Sequence, residues 1–428
     1  MDPRDALETL PRETALVVGL VSGSHVVNHL YLVLFPPILA TLAADFDVGI
    51  GALGVAMGVQ ALVNTALQLP YGYLSDAYDR VLTLALCLGL GALGAGILAV
   101  APSYEVLLLG QAVLGAGVAG HHPAHFPLLS DATSASRRGA AYSAHGFAGN
   151  LGFAAPPVVI LGVTALPGTS WRHAFGLIAL VGAMYGVVAC TVLARYVSDY
   201  ITRPNTDATD ELRREDETVG GRVRAELRAL ADSGPILGLG VVSMLASIAF
   251  WGVSSYLVVF LTEGYGLADE LASLSLTAMF VVGAGLILIG GVLADRFRPG
   301  TILAAAYGLV ALAVFGLAAA VAPPIVALGV GVLAGSLGSL GLPARDKLAD
   351  RLSARRDIGR NFAVVTIGIM VGNTVAPPVF GALIETVGYR PTFGLVGVAA
   401  LCASAATVVI VTRYGDTSEP EPTVVAGE

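Results

Sequence analysis

Histidine is the residue type in this chain whose placement could do chemistry in an apolar setting. Six of the seven histidines fall well inside long apolar runs of the first half of the chain, the seventh, His173, lies at the very start of another such run, and the second half has none. His25 and His29 are four residues apart and so share one face of a helix, as do His121 and His125. Because an imidazole has an ordinary pKa of about 6.5, such a pair could bind and release a proton near neutral pH. The candidate set is His25, His29, His121, His122, His125 and His145.

The same histidines also allow other roles. An imidazole can hydrogen-bond a polar or anionic solute, or it can bond a backbone carbonyl that Pro123 or Pro127 leaves without its helical partner. The run His-His-Pro-Ala-His at 121–125 resembles a metal-binding tract, but Pro123 distorts that turn and no cysteine or carboxylate joins the histidines. We therefore predict no metal site and no cofactor, and we leave proton binding, solute binding and structural bonding open.

Membrane-spanning helices must position these histidines. Of the 428 residues, 55% are hydrophobic and 13% are charged, which is about half the charged share of a soluble protein. A helix needs roughly 20 apolar residues to cross a bilayer, and a backbone in lipid must satisfy its own hydrogen bonds, so each long apolar run is predicted to be a helix. The twelve runs, numbered spans 1 to 12, are 14–41, 49–75, 81–101, 104–130, 139–165, 172–196, 235–262, 271–294, 300–322, 324–344, 360–385 and 391–412.

The basic residues predict the orientation of these spans, because Arg and Lys concentrate on the cytoplasmic side. With both termini in the cytoplasm, 21 of the 23 basic residues lie on that side, and only Arg172 and Arg390 lie outside. A wrong number of spans would scramble this alternation, so it supports twelve spans in the plasma membrane. The cytoplasmic segments are then an N-terminal tail (1–13), a central linker (197–233) and a C-terminal tail (414–428).

The two halves of the chain repeat one another. Five short motifs recur in the same order, at offsets between 218 and 223 residues. The matched segments are 72–76 with 291–295, 122–124 with 342–344, 149–150 with 372–373, 156–157 with 377–378, and 171–175 with 389–393. We therefore predict an all-α integral membrane protein whose twelve transmembrane helices form two pseudo-symmetric six-helix bundles, 14–196 and 234–413.

The segment that joins spans 2 and 3 resembles a known family. The major facilitator superfamily carries Gly-x-Leu-x-Asp-(Arg/Lys)-x-Gly-(Arg/Lys)-(Arg/Lys) here, and this chain reads GYLSDAYDRV from Gly72 and GVLADRFRPG from Gly291. We expect the glycines to allow close helix approach and each Asp to meet a basic residue or a positive helix end. The resemblance implies the major facilitator fold, transport by alternating access, and a cytoplasmic gate latch. Its residues would be Gly72, Asp76, Arg80, Gly291, Asp295 and Arg296.

A finer resemblance is to the fosmidomycin-resistance branch of that family. It rests on SHVVNHLYLVLFPPI at 24–38, GAGVAGHHPAHFPLLSD at 115–131 and AAYSAHGFAGNLGFAAPP at 140–157. A His-Pro pair late in span 4 followed by Gly-Asn in span 5 is typical of the branch. The resemblance to the branch implies proton-driven drug efflux by an antiporter. The resemblance to the superfamily places spans 1 and 4 beside the central cavity, with spans 7 and 10 opposite. Further cavity candidates are Asn28, Tyr31, Gln111 and Trp251.

The first functional hypothesis is secondary export of a drug-like molecule or metabolite with inward proton flow. The second is uptake or facilitated diffusion of a small organic solute or anion. Two observations favour the second: no Asp or Glu lies in the middle of a span, and Gln111 stands where many exporters carry an Arg tied to proton coupling. An intramembrane enzyme or sensor would need a catalytic dyad or a signalling domain, which this sequence lacks. We predict a monomeric transporter, not an enzyme, whose partners are a small-molecule substrate, protons and the lipid bilayer, with no nucleic acid.

Overall fold

The computed structural model describes residues 11–134, 137–203, 234–319, 322–353 and 358–415, with the side chains of 358–360 left out. Within these ranges every regular element is a helix, which confirms the all-α prediction. The predicted tails and linker, at 1–13, 197–233 and 414–428, lie mostly outside the described residues, which cover only 11–13, 197–203 and 414–415 of them, and they stay predictions.

The helices of the first half follow spans 1 to 6. They are Arg12–Leu32, Pro36–Ile38 (a 3-10 turn), Leu39–Phe46, Ile50–Ala77, Arg80–Val100, Tyr104–Ala119, His121–Ala132, Arg138–Thr164, Trp171–Tyr196 and Asp199–Thr202. Those of the second half are Gly234–Tyr265, Asp269–Arg296, Pro299–Ala319, Pro324–Ser336, Leu337–Gly341 (a 3-10 turn), Leu342–Arg351, Ile358–Val387 and Tyr389–Tyr414.

Span 4 is divided into two helices at Gly120. Eleven segments of the described chain are long and apolar enough to cross a membrane, and span 4 is not among them because its helices have only 16 and 12 residues. Span 10 is interrupted at the equivalent place of the repeat, by the 3-10 turn Leu337–Gly341. Pro123 and Pro343 each lie in the first turn of the helix that follows, where a missing backbone N–H breaks no helical hydrogen bond.

The described residues fall into two compact units. The first unit is drawn from Met1–Asp216, together with Ala268–Val281 of span 8 and Pro377–Glu385 of span 11. The second unit is drawn from Glu217–Leu267, Val282–Ala376 and Thr386–Glu428. The predicted bundle limits, 14–196 and 234–413, stay a prediction.

Each unit has its own apolar core. The cores include Val17, Val21, Leu128 and Leu193 in the first unit, and Leu239, Leu303, Leu348 and Ile410 in the second. Val17 and Val21 belong to the helix of span 1, and Leu128 belongs to the second helix of span 4. The core of the first unit therefore packs these two helices, which carry most of the histidines, against each other.

Candidate functional site

The six span histidines meet at one place in the first unit, and we call this group the histidine cluster. His25 and His29 come from span 1, His145 comes from span 5, and the other three begin the second helix of span 4. Four of the six side chains are buried, that of His29 is half-buried and that of His122 is exposed. The ring centre of His25 lies 4.0 Å from that of His145, 4.2 Å from that of His121 and 5.9 Å from that of His122.

Glycines on span 5 make room for the cluster. An added Cβ at Gly149 would lie 2.5 Å from the ring of His25, and one at Gly152 would lie 2.4 Å from the backbone oxygen of Val26 and 2.9 Å from the Cβ of His29. All three distances are shorter than real Cβ contacts. Spans 1 and 5 therefore approach closely enough for the imidazoles of span 1 to reach the backbone of span 5.

His25 and His29 are oriented by backbone carbonyls of span 5. The Nδ1 of His25 donates to the oxygen of His145 at 2.8 Å, and the Nδ1 of His29 donates to the oxygen of Gly149 at 3.0 Å. Because a carbonyl oxygen only accepts, both Nδ1 atoms must carry protons in these hydrogen bonds. The Nε2 atoms of the two rings then face each other, 2.9 Å apart.

The protons of this pair can be counted. A neutral imidazole has one N–H, so with Nδ1 protonated each Nε2 presents only a lone pair. Two facing lone pairs repel, whereas one extra proton between them forms a hydrogen bond of ordinary length. A tetrahedral zinc ion would hold two histidine nitrogens roughly 3.3 Å apart, so the observed separation fits a shared proton better than a bridging metal.

The span 4 histidines are held differently. The hydroxyl of Ser24 donates to the oxygen of Val21 at 2.9 Å, so its oxygen accepts from the Nε2 of His125 at 2.8 Å. His121 is buried, and neither of its ring nitrogens has a hydrogen-bond partner among the described residues. Two trios have ring nitrogens within 4.8 Å of one another, namely His25, His29 and His121, and His121, His125 and His145. The absence of a metal site stays a prediction.

The other cavity candidates do not join the cluster. Asn28 is buried, and its amide donates to the sulfur of Cys87 at 3.4 Å. The buried ring of Tyr31 lies against Gly91 of span 3 and Gly182 of span 6. Gln111 is buried, and its Oε1 has no hydrogen-bond partner among the described residues. The ring of Trp251 lies beside that of Phe250, with centroids 5.5 Å apart. Their roles in solute binding stay predictions.

Sequence reasoning missed two residues at the cluster. Ser24 directly precedes His25 in the chain and orients His125. Phe153 stacks on the ring of His29 with centroids 4.0 Å apart. Helical spacing alone puts Phe153 on the same face as Gly149, four residues earlier. That the oxygen of Gly149 holds His29 is seen only in the structure.

The motif copies at 72–81 and 291–300 pair charges, but not as expected in the first copy. Arg80 is buried, and its Nη1 donates to Asp131 at 2.7 Å and to the oxygen of Ile201 at 2.6 Å. Its ion-pair partner is thus Asp131 of span 4, while the motif residue Asp76 is exposed. In the second copy Asp295 does meet a basic residue, Lys347, at 2.8 Å.

The glycines of the two motif copies do not make the close helix approach that we expected. An added Cβ at Gly72 or at Gly291 would meet nothing within 4 Å. The expectation was wrong for this structure because the described neighbouring helices lie farther away at both points. The role of the two motif copies as a gate latch stays a prediction.

Comparison with known proteins agrees with the helical architecture. A family model described as Major Facilitator Superfamily matches residues 21–335 and 318–427. The chain belongs to the major facilitator superfamily. This membership confirms that it is a multi-pass membrane transporter of a small solute, and it points to transport rather than enzyme chemistry.

Similar proteins support the finer resemblance and the fold. The fosmidomycin resistance protein of Escherichia coli (strain K12) is 25% identical over 296 residues, which is 68% of each chain.

A bacterial homolog to the human lysosomal transporter Spinster, in its inward-facing and unoccupied conformation, superposes with a TM-score of 0.79 at 14% identity, over 96% of this chain and 99% of the other. The occupied form of that homolog gives 0.76 at 15% identity over the same shares. At these identities the two structures show the fold alone, and the predicted fold class is confirmed. The monomeric state and the absence of a nucleic-acid partner stay predictions.

Proposed function

We propose that this transporter exports a small solute across the plasma membrane in exchange for protons, and that His25 and His29 together hold the exchanged proton. The observation that carries the proposal is the 2.9 Å contact between their two Nε2 atoms, with both Nδ1 atoms committed to backbone carbonyls. Only a pair with one extra proton satisfies all three contacts as hydrogen bonds.

The other two protonation states are less favourable in this geometry. Without the extra proton, two lone pairs face each other, so the rings must separate. With a second extra proton, two positive rings would touch in a site where charges are poorly solvated. The pair therefore exchanges one proton at a time, and its geometry changes when that proton leaves. A geometry that depends on protonation is what a coupled transporter needs, because it lets one ligand bias the conformation that the other requires.

One proton per cycle is enough to drive useful transport. Each pH unit of gradient is worth about 1.4 kcal/mol, and 100 mV adds about 2.3 kcal/mol for each charge moved. A tenfold solute gradient costs about 1.4 kcal/mol. Inward movement of one proton therefore supports export against roughly a tenfold gradient for each pH unit.

Export is the proposed direction because of the likeness to the fosmidomycin resistance protein. Cytoplasmic termini are proposed from the distribution of Arg and Lys. Uptake or facilitated diffusion is the second candidate. It is favoured by Gln111, which is buried where many exporters of the family carry Arg.

Proteoliposomes test the proposal. A thermal-shift screen that includes fosmidomycin would first identify a compound that binds the protein. An imposed pH gradient would then drive transport of that compound, with a chelator present to remove metal ions. We expect His25→Gln and His29→Gln to abolish gradient-driven accumulation while exchange of labelled for unlabelled compound continues. His173→Gln is the matched control, because this histidine lies outside the cluster, beside Ser170. Full gradient-driven accumulation by either cluster variant would refute the proposal.

A further inference from the structure

Phe153 joins the histidine pair to span 8. Its ring stacks on that of His29 with centroids 4.0 Å apart and planes inclined by 30°. On its other side it stacks on Phe280 of span 8, with centroids 5.0 Å apart and an angle of 16°. One turn earlier in span 8, the hydroxyl of Thr277 donates to the oxygen of Ala154 at 2.8 Å. Adjacent residues of span 5 thus hold one turn of span 8 within the first unit.

This stack is sensitive to the charge of His29. The face of an aromatic ring is electrically negative, so it attracts a cation within about 6 Å, and more strongly where water is excluded. His29 lies well inside that distance from Phe153. The proton-sharing pair is therefore held against Phe153 by an attraction that the neutral pair lacks.

Among the residues that the structure describes, the titratable rings in contact with His29 are those of other histidines. Among the described residues, the rings of His25, His121 and His122 lie within 6.5 Å of the His29 ring. No Asp, Glu, Lys or Arg of the described chain forms an ion pair with them or with His29. The charge that Phe153 faces is thus that of the histidine cluster.

We propose that Phe153 is a positioning residue that transmits the protonation state of the His25–His29 pair to span 8. The inference rests on the proposed function of that pair. When the pair shares a proton, Phe153 is attracted to His29 and stays aligned for Phe280. When the proton leaves, the two rings of the pair separate, and Phe153 is free to shift away from span 8. Because such coupling is reciprocal, packing of Phe280 on Phe153 also strengthens proton binding by the pair.

The pH profile of transport tests this inference. Phe153→Leu keeps an apolar side chain but removes the aromatic face, so proton binding should weaken about tenfold. The sign follows directly: the ring favours the charged pair, so its loss moves the midpoint of the pH profile to lower pH, by about one unit. Phe153→Tyr retains the aromatic face and should restore the original midpoint. Phe147→Leu is the matched control, because Phe147 lies on the same helix with its side chain exposed.

A second variant isolates the contact with span 8. Phe280→Leu leaves the stack of Phe153 on His29 intact, so exchange of labelled compound should continue while gradient-driven accumulation falls several-fold. If Phe153→Leu gives the wild-type midpoint, or if Phe280→Leu accumulates compound as well as wild type, the inference is wrong.

The proposed function is judged separately. If the His25→Gln and His29→Gln proteins retain gradient-driven accumulation, the proton site itself is misassigned. If those proteins lose it while the Phe153 and Phe280 variants behave as wild type, the pair binds the proton and only the transmission through Phe153 is excluded.

Discussion

Spans 1 and 5 in the first half and spans 7 and 11 in the second pack in a closely similar way, yet they carry different chemistry. The Nδ1 of His25 donates to the oxygen of His145 at 2.8 Å. At the equivalent place of the repeat, the Oγ of Ser247 donates to the oxygen of Ile369 at 2.7 Å. The bridge from a side chain to a backbone carbonyl is thus present in both halves, while only the first places a titratable group in it.

Glycines support both bridges. An added Cβ at Gly149 would lie 2.5 Å from the ring of His25, and one at Gly372 would lie 2.6 Å from the Cβ of Ser247. The comparison teaches that helix packing can be separated from the proton chemistry that we propose for the first half. The packing comes from small residues on spans 5 and 11, and the proposed chemistry depends on the residue that faces them.

The most stringent test of this comparison replaces the histidine of the first half by the serine found at the equivalent place of the second half. His25→Ser should preserve the fold, since Ser247 makes the same kind of bridge to a carbonyl, but it removes one partner of the shared proton. We expect gradient-driven accumulation in proteoliposomes to fall at least tenfold and its dependence on pH to vanish. Ser247→Ala is the matched variant and should keep its pH profile. An unchanged pH profile for His25→Ser would show that the halves do not differ in the proposed way.

Glycine substitutions sharpen the separation of packing from chemistry. Gly152→Ala would bring a Cβ within 2.4 Å of the oxygen of Val26, and Gly368→Ala within 2.2 Å of the oxygen of Gly240. Both meet backbone, so both should destabilise the protein by about 1–3 kcal/mol, as overpacking does. Thermal unfolding in detergent would measure this.

The two glycine variants should differ in transport. Only Gly152→Ala also presses on the Cβ of His29, so only this variant should shift the pH profile of proteoliposome transport. Equal shifts in the two halves would contradict the comparison.

The ion pairs of the two motif copies differ in burial. The Arg80 side chain is 10% exposed and that of its partner Asp131 is 33% exposed, against 32% for Lys347 and 79% for Asp295. Arg80→Gln should therefore cost roughly 1.5–3 kcal/mol, the range for hydrogen bonds to charged groups. Lys347→Gln should cost under about 1 kcal/mol, as exposed pairs do. Unfolding curves at low and high salt would check both values, and equal costs would show that burial does not decide the difference.

The smallest expected effect concerns the N-termini of spans 2 and 8. The helix of span 8 has Asp269 and Glu270 in its first turn, whereas that of span 2 has no acidic residue there. Instead, Glu385 of span 11 accepts from the backbone N–H of Gly51 at 2.8 Å. Glu385→Gln should lower stability by about 0.3–1 kcal/mol through the helix dipole, with a smaller loss at high salt. No loss in low-salt unfolding measurements would exclude this capping role.

Much of the fold could be predicted from the sequence because lipid restricts the choices. Apolar run lengths, the placement of Arg and Lys and the offset near 220 predicted an all-helical membrane protein built of two repeated halves. The family was implied by the resemblance of the motifs at Gly72 and Gly291, and the comparisons confirmed both the family and the fold class. The break of span 4 at Gly120 was not predicted. Gly and Pro are tolerated within transmembrane helices, so their presence in an apolar run does not indicate that the helix is interrupted there. The ion pair of Arg80 with Asp131 was also missed, because 51 residues separate them along the chain.

For the candidate site, the sequence by itself determined which residues could titrate inside the membrane. It placed six histidines well inside spans of the first half and none in the second half, and helical spacing put His25 and His29 on one face. Only the tertiary structure decided which ring nitrogens meet, since this depends on the carbonyls of His145 and Gly149, 120 residues away in both cases. Periodicity along one helix specifies a direction, whereas a shared proton requires a distance between atoms, and that distance is set by the packing of span 1 on span 5.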